Sequence, residues 1–313
     1  MSKNGLLIVL FTQVVTLLWL TSCTYDYFED ETTYQVFVPE VLNNTVSDCR
    51  VLVYDATGAL VGSRYATYPE WNKDPRMATG LFSFKLPPGE YNVFCYTNTD
   101  NIRFMDDHHT ESSAFVLKDH PYDANHYVHP SDIHYQKFDA VVVEHPSILV
   151  TDTVDLERYT GRITVRFKNF PADVSSIKNV QLTAEGVSVM QYLKDHESVA
   201  SRLTTTSRLT EDDRMYHLDT LPVQENANIV EVDHTYMPSI ENVPMVLNYT
   251  FLTDNGLMVM HLPVEVKDKN TGQPLRLMSG ERIIIEVDSY TVISIGIVGW
   301  DEDIQTGGSV DLG

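Results

Sequence analysis

Basic residues are scarce in this chain: 22 Lys and Arg stand against 44 Asp and Glu, a formal net charge of −22. Such a surface repels phosphate backbones and anionic lipid heads, so nucleic acid is not expected as a partner. Cysteine is scarcer still. Cys23, Cys49 and Cys95 are the only three, which excludes a disulfide framework. Long apolar runs are missing too. The longest, Leu6 to Leu20, is broken by Thr12, Gln13 and Thr16, and it falls short of the ~20 apolar residues that a comfortable membrane span needs. No stretch before residue 150 keeps a helical period for three turns. Catalytic signatures fail as well. Ser175-Ser176-Ile177-Lys178 has S-x-x-K spacing, but neither SDN nor KTG accompanies it. His196-Glu197 begins a zincin-like pattern, yet Ala200 stands where the second histidine belongs. These absences point away from an enzyme, and no cofactor is expected.

What is present begins at the N-terminus. Lys3 followed by the Leu6 to Leu20 stretch has the layout of a secretory signal peptide. Leu20-Thr21-Ser22-Cys23 resembles the bacterial lipobox: an aliphatic residue, two small ones, then a cysteine. The small residues let a peptidase draw in the extended backbone, and the thiolate is nucleophilic enough to accept a diacylglyceryl group. Cleavage is therefore expected after Ser22 and acylation at Cys23, the plainer alternative being a membrane anchor with an incidental cysteine. Loss of residues 1–22 leaves 291 residues with a net charge of −23. The segment after Cys23, "TYDYFEDET", carries Asp26, Glu29, Asp30 and Glu31 and no basic residue. Any such composition forms a disordered tether. It also resembles the acidic signal that sends Bacteroidetes lipoproteins to the outer leaflet, which implies surface exposure on the outer membrane.

Beyond a tether at 23–32, the chain reads as short strands separated by turns. "YQVFVPEV" alternates towards Pro39, and "CRVLVYDATGALVGS" is an alternating run, a turn at Asp55 to Gly58 and a return run. "LFSFKLPPGEYNVFCYTN" repeats the idea around Pro87-Pro88-Gly89, with Gly89 expected at positive φ. Gly58 and Gly89 are thus the predicted structural turns. The segment 65–79 reads as a polar loop with a short helical turn, and "VSVMQYLKDHESVA" as one or two helical turns. A second series of strands follows from about residue 153, through "GRITVRF", "PMVLNYTFL", "ERIIIEVDS" and "TVISIGIVGW". The predicted fold class is all-β, with two tandem antiparallel β-sandwiches over 33–152 and 153–313. Cys49 and Cys95 both lie in apolar alternating runs, as two buried thiols or one disulfide.

Two side-chain groups invite a functional reading. Seven of the eleven histidines fall between His108 and His145, and "MDDHHTES" joins His108 and His109 to Asp106 and Asp107, ligand types for a divalent metal. Adjacent histidines on a strand point to opposite faces, so a polar loop system above the first sandwich is the reading preferred, and no metal is expected. Tyr25, Tyr27, Tyr65, Tyr68 and Trp71 are aromatics of the kind that stack on sugars, although such residues more often cover loop cores or subunit contacts.

The order of these features resembles the FimB-type fimbrial anchor and minor-subunit lipoprotein family of Bacteroidetes. The resemblance rests on the lipobox, the acidic tether, Val53-Tyr54-Asp55 with Gly58, and Leu86-Pro87-Pro88-Gly89 with Tyr91 and Val93. "YTGRITVRF" and the late strand ending at Trp300 extend it over most of the mature chain. It implies transthyretin-like sandwiches and a place in a cell-surface fimbrium, with fimbrial subunits as partners through strand exchange or augmentation. The tail after Trp300, "DEDIQTGGSVDLG", alternates little and makes a poor donor strand, which favours an anchor or accessory subunit over a stalk subunit. The alternative is a surface lipoprotein that binds glycan or protein on the same fold.

Overall fold

The structure is a computed structural model that describes residues 32–43, 45–67, 75–105, 109–110, 113–169, 176–193, 215–220, 229–240, 243–268 and 270–301. The signal segment and residues 23–31 of the acidic tether lie outside the described residues. The fold is nearly all β, as expected from the short alternating runs. In the first half the strands are β1 (Tyr34–Phe37), β2 (Asp48–Asp55), β3 (Leu60–Thr67), β4 (Leu81–Phe84), β5 (Gly89–Thr97), β6 (Ile102–Met105), β7 (Ala114–Leu117), β8 (Asp119–His120), β9 (Asp123–Tyr127) and β10 (His134–Val143). β11 (Val150–Thr153) and β12 (Glu157–Arg158) follow. The later strands are β13 (Gly161–Lys168), β14 (Asn179–Glu185), β15 (Met190–Tyr192), β16 (Met215–Thr220), β17 (Ile229–Tyr236), β18 (Met245–Leu252), β19 (Met258–Val266), β20 (Glu281–Asp288) and β21 (Thr291–Gly299). Among the described residues two short helices, Pro39–Leu42 and Pro75–Thr79, each begin on a proline, whose fixed φ suits the first helical position.

A three-stranded sheet, β11-β1-β4, packs on a five-stranded one, β12-β10-β5-β2-β3. Alternation explains the packing. Val51 and Val53 of β2, with Val93 and Cys95 of β5, face one core with Tyr34, Val36, Phe82 and Phe84. Their neighbours Leu52, Tyr54, Phe94 and Tyr96 point the opposite way into a second core. Both faces of the large sheet are therefore covered. This is why "RVLVYD" and "YNVFCYT" read as nearly continuous apolar runs, the pattern of strands buried on two sides. The second core takes in Phe115 and Leu117 of β7 and runs on without a break to Phe167, Tyr249, Phe251 and Ile285. There a four-stranded sheet, β17-β13-β20-β21, accompanies a six-stranded one, β19-β18-β14-β16-β9-β8.

Within "VSVMQYLKDHESVA", where the sequence suggests helical turns, Met190–Tyr192 is a strand, and residues 194–200 lie outside the described residues. Val187, Ser188, Val189, Gln191 and Leu193 are all buried, with alternation from Val189 to Leu193, and β15 pairs antiparallel with β7. Late chain is thus stitched to early chain. A second stitch lies at the end of β21. The Arg158 guanidinium sits 4.2 Å from the Trp300 ring centroid and forks onto Asp132 at 2.8 and 3.0 Å. Because β12 pairs with β10, this cation–π contact ties the last strand to the five-stranded sheet.

The two predicted glycine turns differ. Gly58 has φ +85, and a Cβ there would fall 2.7 Å from Thr110 Oγ1 and 2.9 Å from the His109 ring. The turn is held by Asp55, whose Oδ1 accepts the Thr57 hydroxyl at 2.6 Å and the backbone N–H groups of Thr57 and Ala59. The Thr57 hydroxyl, with help from these N–H groups, holds the Asp55 carboxyl below its usual range. Gly89 is otherwise. Its φ is not in the left-handed region, and an added Cβ would meet only the Tyr91 side chain, at 3.2 Å. Nor does Pro87-Pro88-Gly89 close a hairpin: β4 pairs with β1, whereas β5 pairs with β2 and β10. The segment carries the chain from one sheet to the other, braced by the Tyr91 hydroxyl donating to the Pro87 carbonyl at 2.6 Å. We expect Gly58→Val to lower the unfolding free energy by about 1–3 kcal/mol. Gly89→Val should lower it by less than about 1 kcal/mol, because no backbone strain is involved. Denaturant melts of the two variants check this order, and the reverse order would contradict the turn geometry.

Candidate functional site

β1 is the central strand of its sheet, hydrogen-bonded on both sides. It runs parallel to β11, Tyr34 opposite Val150, and antiparallel to β4, Tyr34 opposite Phe84. Tyr34, Val36 and Val38 are fully buried, and Val41 of the following helix joins them in the core. β-Branched and aromatic residues at alternate positions suit this place, since each inward side chain fills a pocket between the two sheets. The outward Gln35 is buried as well and donates from Nε2 to Ser83 Oγ at 3.1 Å. The Tyr34 hydroxyl donates to Asp152 at 3.0 Å. Burial, then the Asp152 carboxylate, pushes that phenol far above its usual range, so it stays a donor at any physiological pH.

The two ends of β1 are clasped. At its start, Thr33 Oγ1 donates to the Leu86 carbonyl at 2.8 Å and accepts the Leu86 N–H at 2.7 Å, and the Thr33 carbonyl accepts the Val150 N–H at 3.0 Å. At its end, the Val38 N–H donates to the Gly80 carbonyl at 2.8 Å. Gly80 has φ +68, and a Cβ there would meet the Val38 carbonyl at 2.6 Å. This close backbone approach was not anticipated from the sequence, although a glycine directly before "LFSF" was its signal. Withdrawing β1 would bare the edges of β4 and β11 and one wall of the first core. The arrangement is therefore a strand groove already filled from within.

Of the other predicted site residues, Ser22, Cys23, Asp106, Asp107 and His108 lie outside the described residues. His109 bridges Ala59 and packs beside the Gly58 turn. Among the described residues no group of three or more His, Cys, Asp or Glu is placed to hold a metal ion. His129 and His234 come together instead, as rings stacked at 4.5 Å against Tyr236. Tyr65 lies under the Arg50 guanidinium, at 4.7 Å, and its hydroxyl reaches Asp48 at 3.4 Å. Tyr25, Tyr27, Tyr68 and Trp71 fall outside the described residues. Cys49 and Cys95 are free thiols, fully buried, with sulfurs 3.7 Å apart. Burial pushes the Cys49 thiol well above its ordinary pKa and keeps it unreactive. Among the described residues no helix is long and apolar enough to cross a membrane.

Solved structures share this fold. The fimbrial anchor protein Mfa2 from Porphyromonas gingivalis superposes with a TM-score of 0.52 at 15% identity, over 85% of this chain and 97% of its own. A Bacteroides ovatus protein described as an adhesin candidate gives 0.54 at 16% identity, over 86% and 98%. A Bacteroides thetaiotaomicron protein described as a candidate polysaccharide-binding protein gives 0.51 at 15%, over 88% and 99%. A comparison with curated proteins finds no match. At such identities these structures speak for the fold alone, and the affiliation comes from the sequence. The family model for the fimbrillin-A associated anchor proteins Mfa1 and Mfa2 matches residues 38–306, and the chain belongs to that family.

Proposed function

We propose that this chain is a fimbrial anchor or accessory subunit, tethered to the outer membrane through acyl groups on Cys23, with the signal peptide removed after Ser22. Family members are structural, and the chain is a structural protein rather than an enzyme. The observation that carries the proposal is the filled groove. In assembly by strand exchange, a subunit offers an open groove to a strand from its neighbour. A subunit that keeps β1 in that place accepts no donor there and ends the polymer. The sequence supports its retention: no Lys or Arg lies between Cys23 and Val41, so a protease directed to basic residues has no site from which to free the strand. The acidic residues Asp26, Glu29, Asp30 and Glu31 would then direct the tethered chain to the cell surface. One acyl chain gives marginal membrane binding, whereas two or more give stable anchoring.

The tether is tested by Cys23→Ala. The expected product is an uncleaved, unacylated precursor absent from the outer membrane, measured by metabolic labelling with a fatty acid and by fractionation. Normal lipid labelling of the variant would refute the assignment of Cys23.

A further inference from the structure

The end of the first sandwich at which β1 begins carries an exposed apolar rim. Thr33 sits between two loops and hydrogen-bonds to both: to Leu86 in the loop 85–88, and to Val150 at the end of the loop 144–149. Val143 at the end of β10 pairs with Gly89 at the start of β5, so both loops leave the same end of the sheet. Their tips present Pro87, Pro88 and Pro146 to solvent, and beside them Ile148 is 58% and Leu149 42% exposed. The turn that projects these two is built by the Ile148 N–H donating to the His145 carbonyl and by a Ser147–His145 side-chain hydrogen bond. Adjacent large aliphatic side chains on an exposed loop tip call for an explanation that scattered surface apolar residues do not.

We infer that this rim rests in the lipid surface to which the chain is tethered, with Ile148 and Leu149 seated at the boundary between headgroups and acyl chains. The inference rests on the proposed acylation of Cys23. Thr33 lies ten residues beyond Cys23. Fully extended, that length spans at most about 35 Å, and as a flexible coil its typical reach is about 17–19 Å. The rim is the part of the described chain nearest to the tether, and the tether keeps it close to lipid at all times. Around it stand Glu90 and Glu144 with Lys85 and His145, all exposed, and Asp55 at the neighbouring turn. That mixture offers no basic patch for anionic headgroups, so the contact is apolar and insensitive to salt. β10 is ten residues long and runs from this rim to His134, which pairs with Arg158 where the chain passes towards β13. The contact would thus orient the molecule, with the exit towards the second half of the chain about 30 Å further from the membrane.

The test uses the acylated mature chain on phosphatidylcholine vesicles with brominated acyl chains, which quench tryptophan at the lipid boundary. Ile148→Trp is compared with Leu257→Trp, the latter at an exposed position just before β19 in the second half of the chain. The tryptophan added at position 148 is expected to shift to shorter wavelengths and lose most of its emission, in low and high salt alike, while that at 257 is unaffected. Acylated protein that floats with the vesicles but leaves the emission at 148 unchanged would overturn the inference and leave the tether standing. A mature chain isolated from cells without an acyl group, or an acylated chain that does not float with the vesicles, would overturn both. A shift at 148 that follows protein concentration without vesicles would make the rim a contact between copies, and the lipid assignment would fall.

Discussion

Val36→Asp should unfold the first sandwich far more readily than the parent, whereas Val61→Asp should be nearly silent. Val36 is fully buried at the centre of β1, between β4 and β11. Removing its side chain from the core forfeits about 1.5–3 kcal/mol of transfer free energy, and an unpaired polar group left there costs about 1–3 kcal/mol more. A loss of roughly 2.5–6 kcal/mol is a large share of the ~5–15 kcal/mol that typically separates folded from unfolded domains. Val61 lies on β3, the end strand of the five-stranded sheet, and is 45% exposed, so the same substitution there should change stability by no more than about 0.5 kcal/mol. The new carboxyl at position 36 would have a raised folded-state pKa, because burial disfavours its charge. The destabilisation should therefore deepen as pH rises above the ordinary aspartate range and be least in acid. Urea melts followed by circular dichroism give both quantities.

The same variant reports on the groove. A labelled peptide of residues 33–41, "TYQVFVPEV", should find no vacancy in the parent protein. It should bind the Val36→Asp chain, in which the native strand is weakly held and main-chain edges become available. Equal uptake by both proteins, read by fluorescence anisotropy, would mean that β1 does not close the groove.

Much of this architecture was legible in short alternating runs. "CRVLVYD" and "ALVGS" around Asp55 to Gly58 declare the β2–β3 hairpin because an aspartate that can bond its own backbone precedes a glycine that can take positive φ. Pro87-Pro88-Gly89 misled for a definite reason. Local turn chemistry is compatible with a hairpin or with a passage between sheets, and the choice depends on β1, about 50 residues upstream, which takes β4 as its partner. "VSVMQYL" misled because a short apolar run does not declare its period. Its strand geometry is imposed by pairing with β7, more than 70 residues earlier. The candidate site was legible as a strand, and its retention was suggested by the missing basic residues. The contacts that hold it were not. Tyr34 with Asp152 and Thr33 with Leu86 span 118 and 53 residues, and no local pattern carries such distances. For Cys49 and Cys95, alternation pointed to buried faces, while their approach to 3.7 Å depends on the β2–β5 register.

The largest effect should appear in cells. A polymer that grows by strand exchange continues until a subunit without a vacant groove caps it, and it stays on the cell only if that subunit is itself held. On the proposal made above, this chain, lipid-tethered and with β1 in place, would supply both. Its loss should leave fimbrial subunits synthesised as before, yet their polymers should be longer and should no longer remain attached. The direct measurement is electron microscopy of fimbriae on cells and in the culture medium of a strain lacking this gene, with complementation by the parent and by Cys23→Ala. Long fimbriae in the medium, returned to the cell surface by the parent gene and not by Cys23→Ala, are the predicted result. Fimbriae of ordinary length that stay on the cells of the deletion strain would contradict the anchor.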